Sequence, residues 1–126
     1  MLSEKSVRVS LGVTCAFNLA AAVMLVMTDN PLSRIAGITA SDSTIHVALA
    51  ALMVAAFGLA YGWMARAQTI DRPMIAFGAL VKLGAFSLFA ALAMVAMVPA
   101  SFALFAFPDL VFAMLWLMWL RQANEA

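Results

Sequence analysis

The chain has 126 residues, 67% of them hydrophobic and 10% charged, with a formal net charge of +1 and a mean hydropathy of +1.06. A soluble domain is roughly 45–50% apolar and about 25% charged, and so short a chain has too little interior to hide this much apolar surface, so its solvent is a bilayer. The single cysteine, Cys15, excludes an internal disulfide, the single histidine, His46, excludes His-rich zinc and haem arrangements, and the small net charge with no basic run argues against a nucleic-acid partner.

In chain order, four stretches are long enough to cross a hydrocarbon core, which takes about 20 apolar residues. They cover residues 9–28, 44–65, 73–98 and 100–120. Backbone polar groups in lipid have to be satisfied within the segment, so each stretch is predicted to be a helix and the fold all-α: an antiparallel four-helix membrane bundle forming one domain over residues 1–126. The flank before the first span, "MLSEKSVR", is weakly basic and "VMTDNP" is a poor cleavage site, so a retained anchor is expected rather than a secretory signal. "TDNPLSR" breaks the chain after this span, and the loop from Asp29 to Ser43 is the sizeable one. "SDST" offers capping groups to the second span, with His46 expected to pair with Asp42 at the helix start. In "DRP", Asp71 is placed to cap the third span and Pro73 to sit in its first turn. "VPAS" is expected to make a tight turn, so spans three and four should be antiparallel neighbours.

Lys5, Arg8, Arg66, Arg72 and Arg121 fall on one side, with Arg34 alone on the other, which predicts both termini cytoplasmic. Trp63, Trp116 and Trp119 fall at the same ends, as an aromatic belt would.

At ~1.5 Å per residue, Asn18 lies about 15 Å from the cytoplasmic edge, Lys82 roughly 14 Å and Asp109 roughly 18 Å. A lone charge near the bilayer centre costs about 2.5–3.5 kcal/mol on insertion scales. Opposite charges at one depth on adjacent helices therefore predict a Lys82–Asp109 ion pair facing the interior, with Asn18 donating a further hydrogen bond and Tyr61 reaching toward the group with its hydroxyl. Pro108 removes the donor for the carbonyl of Leu104 and is expected to kink the helix, which gives room beside Asp109 for a side chain or a water. Gly58 and Gly62 form a Gly-x-x-x-Gly pair in a small-residue stripe, which packs helices closely within one chain or between two. Span four shows Ala106, Asp109, Ala113 and Trp116 on one side. Methionines near the outer ends together with His46 suit Cu(I) chemically, but flexible apolar filler accounts for them, so no metal and no cofactor is expected.

"GLAYGW" (58–63), "GALVKLG" (78–84) and "DLVFAMLW" (109–116) resemble the small four-helix bacterial inner-membrane proteins of the broad DoxX-like kind. The resemblance implies a four-span architecture and, in some such proteins, an accessory role beside quinone-linked oxidoreductases. It brings no catalytic residue.

The residues themselves leave three functions in order. The first is a non-catalytic accessory or scaffold subunit or lipid-like ligand binder, with the Lys–Asp pair holding the bundle, partnered by the bilayer and by a larger complex or a homo-oligomer. The second is an oligomeric, proton-coupled small-molecule transporter or channel with the pair as a protonatable gate. The third is an intramembrane enzyme using Asp109, Lys82 and Tyr61, which ranks last because a neutralised pair is a poor proton donor.

Overall fold

The structure is a computed structural model and describes residues 1–40 and 42–125. Its elements are α1 (Glu4–Val26), α2 (Pro31–Ala36), α3 (Thr44–Arg66), α4 (Arg72–Met94) and α5 (Ala100–Glu125), with no strand among the described residues. Four helices, Glu4–Val26, Thr44–Arg66, Arg72–Met94 and Ala100–Gln122, are long and apolar enough to span a membrane. Each has 23 residues, roughly 35 Å of helix.

Helix ends follow capping chemistry rather than the edges of the apolar runs. α1 begins five residues before the expected span because Ser3 Oγ accepts from the Ser6 amide and Glu4 sits in the first turn, where the helix dipole favours a carboxylate. α4 begins where Asp71 accepts from the Met74 amide at 3.0 Å and Pro73 occupies the first turn. It stops at Met94, short of the expected Val98. There the Met97 amide bonds back to the Leu92 carbonyl and Ala96 takes φ 56°, a left-handed helix end made without glycine. α5 runs uninterrupted through Pro108.

The outer loop contains a helix that the apolar pattern did not announce. Asn30 caps α2, Pro31 fills its first position, and Gly37 ends it at φ 77°. Ser33 Oγ donates to the carbonyl of Met24, and Ser101 Oγ donates to that of Ala36 at 2.8 Å, so α2 is stapled to the end of α1 and the start of α5. At the start of α3, Ser43 is the N-cap without a side-chain capping bond, because its hydroxyl pairs with His46 Nδ1. His46 therefore meets Ser43 rather than the expected Asp42; Ser41 of the expected capping stretch lies outside the described residues.

The four spans form two close pairs, α1 with α3 and α4 with α5. Gly58 and Gly62 make the first pair possible. A Cβ at Gly58 would stand 2.9 Å from Asn18 Cβ and 3.3 Å from the Cys15 carbonyl oxygen, and one at Gly62 would stand 2.8 Å from Cys15 Sγ. The small-residue stripe thus serves packing within the chain. The second pair meets through larger groups, including Phe86 on Phe107 and Phe89 on Phe102 with ring centroids 6.3 and 5.7 Å apart. α3 and α4 are consecutive, yet none of their described residues bring Cα atoms within 8 Å of each other; Phe57 and Phe77 bridge them by stacking at 6.1 Å.

At the end carrying both chain termini, Arg8 locks α1 to α3. Its guanidinium donates to the carbonyls of Ala65, Ala67 and Gln68 at 2.5–3.1 Å while pairing with Glu4. These are carbonyls left without intrahelical donors, at the negative end of the α3 dipole. Outward faces carry Leu52, Leu59, Leu80 and Leu104, all strongly exposed, as a lipid-facing surface is.

The tryptophans divide. Trp63 is 81% exposed and Trp119 lies beneath the Arg72 guanidinium, but Trp116 is fully buried. The belt role expected of Trp116 is thereby corrected. Its position seven residues after Asp109 puts it on the inward face, where the indole N–H finds a partner in Ser10.

Candidate functional site: a polar seam between two helix pairs

Each helix brings one inward stripe to the seam. On α4 the buried positions are Ile75, Gly78, Ala79 and Lys82, spaced by three or four residues. On α5 they are Ala106, Ala113 and Trp116, with Asp109 on the same face. On α1 they include Val7, Ser10, Leu11, Thr14 and Asn18. α3 contributes Gly58, Tyr61 and Met64. The seam is thus floored by aliphatic and aromatic groups near the terminal end and becomes polar toward mid-depth.

Lys82 is the hub. Its Nζ lies 2.5 Å from Asp109 Oδ1, the side chains being 4% and 16% exposed. It also donates to Asn18 Oδ1 at 3.3 Å. The ammonium stands 5.4 Å from the Tyr61 ring centroid and 5.9 Å from that of Phe112, so two π-faces complete its surroundings. Two opposite formal charges are thereby held in contact away from water, where removing either alone would strand the other.

The arrangement differs from expectation in two respects. Asn18 accepts from Lys82 instead of donating to the pair; its amide nitrogen donates to the Val54 carbonyl at 3.2 Å. The reason is proton count, since an ammonium has three donors and no acceptor, so the carboxamide oxygen turns to it. Tyr61 meets the ammonium with its ring face, while its ring also packs on Trp116 with centroids 5.1 Å apart. Gly78 is what lets these rings in: a Cβ there would stand 2.9 Å from Tyr61 Cε1 and 3.3 Å from Trp116 Cζ3. Pro108 adjoins Asp109 inside α5, and Leu104, whose carbonyl loses its donor, is exposed.

Two seam residues, Ser10 and Thr14, escaped the sequence reading. Trp116 Nε1 donates to Ser10 Oγ at 2.9 Å, and Ser10 Oγ donates onward to the Val7 carbonyl. Thr14 lies between Ser10 and Asn18 on the same face and is fully buried. The spacing 10, 14, 18 in an otherwise apolar span was the available signal. Besides the seam, an apolar groove of about 240 Å³ opens between α3 and α4, lined by Met53, Phe57, Tyr61, Met74, Phe77 and Gly78.

Chemically, the seam offers N–H donors from Lys82 and oxygen acceptors from Asp109 and Asn18 with no net charge. Such a set suits a neutral molecule with both donors and acceptors better than it suits an ion.

A family model described as "AmiS/UreI family transporter" matches residues 2–121. No curated protein and no solved structure matches the chain. The match overturns the expected likeness to DoxX-like proteins, whose carrying motifs were glycine-and-apolar strings that any closely packed membrane helix produces.

Proposed function

Because the chain belongs to the AmiS/UreI family of transporters, we propose that this multi-pass membrane protein conducts a small uncharged solute of the urea or simple amide class through the seam between its helix pairs. The scaffold reading that the sequence alone favoured gives way to the transport reading, which the family match supports. The observation that carries the solute class is the neutral Lys82–Asp109–Asn18 cluster. A urea or amide both donates and accepts hydrogen bonds, so it can exchange its water shell for these groups at little cost. A cation or anion would meet a charge of its own sign at one partner and lose its hydration without full compensation.

The Lys82–Asp109 contact acts as the gate. It ties α4 to α5, and through Asn18 it ties both to α1. Protonating Asp109 removes the negative partner, leaves a buried ammonium seeking water, and loosens the seam; this is the proton-coupled element of the proposal. Four helices enclose little space, so a homo-oligomer is the working unit. The Lys and Arg bias supports a topology with both termini on the cytoplasmic side of the membrane.

The test is uptake of urea and acetamide into proteoliposomes by stopped-flow light scattering. Wild-type protein is expected to accelerate entry over empty vesicles, faster as the pH falls, and Asp109→Asn, which stands in for the protonated aspartate, to keep the acceleration and lose its dependence on pH while far-UV circular dichroism stays helical. Wild-type vesicles no more permeable than empty ones would return the cluster to a purely structural role.

A further inference from the structure

Among the described residues, Thr14 Oγ1 is a buried hydroxyl with no hydrogen-bond partner, on a side chain that is completely inaccessible. In a helix a threonine hydroxyl readily bonds the carbonyl three or four residues back, as Ser10 does with Val7. Thr14 forgoes that bond. A buried hydroxyl left unpaired costs about 1–3 kcal/mol, and valine, its near-isostere, would avoid the cost. The hydroxyl is therefore a liability to the closed conformation.

Its neighbours show what it serves. Ser10, Thr14 and Asn18 stand one turn apart on one face of α1 and are all buried. Ser10 is engaged with Trp116 and Val7, and Asn18 with Lys82 and Val54. Thr14 is the member of this ladder whose donor and acceptor are both uncommitted. The ladder faces a part of the molecule where α1 and α4 make no close backbone approach, so Lys82 has to span the distance with its full side chain. A contact held by side chains opens by rotamer changes, whereas the glycine-packed α1–α3 contact cannot.

We infer that Thr14 is a solute-contacting residue: its hydroxyl takes a hydrogen bond from, or gives one to, a small neutral amide moving along α1 from the Ser10–Trp116 bond to the Lys82–Asp109 pair. This rests on the transport reading above and adds the route and the specificity-determining group. The route runs along the polar ladder and not along the α3–α4 groove, whose lining is apolar.

The experiment compares wild type, Thr14→Val and Thr14→Ser in proteoliposomes, reading urea entry by stopped-flow scattering and thermal stability in detergent. Thr14→Val is expected to melt no lower than wild type and to slow urea entry roughly three- to tenfold, the worth of one neutral hydrogen bond. Thr14→Ser, which keeps the hydroxyl, is expected to retain most of the rate. Wild-type conduction with Thr14→Val equally fast overturns the inference alone. So does Thr14→Ser as slow as Thr14→Val, since shape would then decide, or a Thr14→Val protein that fails to fold, since the hydroxyl would then be structural. Wild-type vesicles indistinguishable from empty ones overturn the transport reading and this inference with it.

Discussion

The contact between α1 and α3 is a backbone contact, whereas across the seam only α1 and α5 come close at the backbone and side chains make most of the contact between the two helix pairs. In the first, Gly58 and Gly62 bring α3 so near α1 that a single added carbon would collide with Asn18 and Cys15. In the second, Lys82, Asn18, Trp116 and Ser10 reach across a wider space and meet at their tips. Lipid tails are as apolar as leucine, so no hydrophobic driving force separates these designs; close packing holds one and paired polar groups hold the other. Van der Waals contact between backbones has one good geometry. Hydrogen bonds at the ends of rotatable side chains have several. A molecule built from both has rigid halves and a seam that can rearrange, which is what a conduit needs.

The sharpest way to break the comparison is at its charged centre. Lys82→Met leaves the Asp109 carboxylate buried without its counter-charge and is expected to cost about 3–5 kcal/mol, while Lys82→Met with Asp109→Asn recovers most of the loss. Chaotrope or SDS titration of helicity reads both. If the double variant is no better than the single, the pair does not behave as a unit.

The backbone contact comes next. Gly58→Ala should cost about 1–3 kcal/mol by forcing α1 and α3 apart, whereas Gly84→Ala, where an added Cβ meets nothing within 4 Å, should be neutral or stabilising by about 0.5–1 kcal/mol. Equal melting temperatures for the two variants would show that the close approach carries no energy.

A smaller effect is expected where the seam is neutral. Trp116→Phe removes the indole donor to Ser10 while keeping most of the ring, and should cost about 0.5–1.5 kcal/mol in thermal unfolding. The smallest lies outside both contacts: Ala96→Gly relieves the left-handed residue after α4 and should stabilise by about 0.5–1 kcal/mol, after glycine's greater chain entropy is subtracted.

How much of this was legible depends on which dimension is asked about. Depth is linear in residue number, so counting from Arg8, Pro73 and Arg121 put Asn18, Lys82 and Asp109 near one level, and the structure brings the three together. Apolar length marked four crossings, but helix ends belong to caps: Ser3 started α1 early and the turn at Ala96 ended α4 early. The helix α2 was written as Asn30-Pro31 at one end and Gly37 at the other, signals that a hydropathy reading passes over. Azimuth was read less well. Trp116 was assigned by depth to an interfacial belt although its spacing from Ala106, Asp109 and Ala113 already placed it inward. The pairing of α4 with α5 was legible in the tight turn between them, but that of α1 with α3 was not, because chain neighbours α3 and α4 are joined by a short loop and yet splay, while α1 reaches past α2 to find α3.

Arg8 is counted among the cations that orient the chain, but its guanidinium is already committed to three carbonyls beyond its own helix. The residue therefore acts as a ruler as well as a compass. It fixes where along α1 the second crossing must finish, so inserting one residue into α3 would force a choice between keeping that latch and keeping Gly58 and Gly62 opposite Asn18 and Cys15.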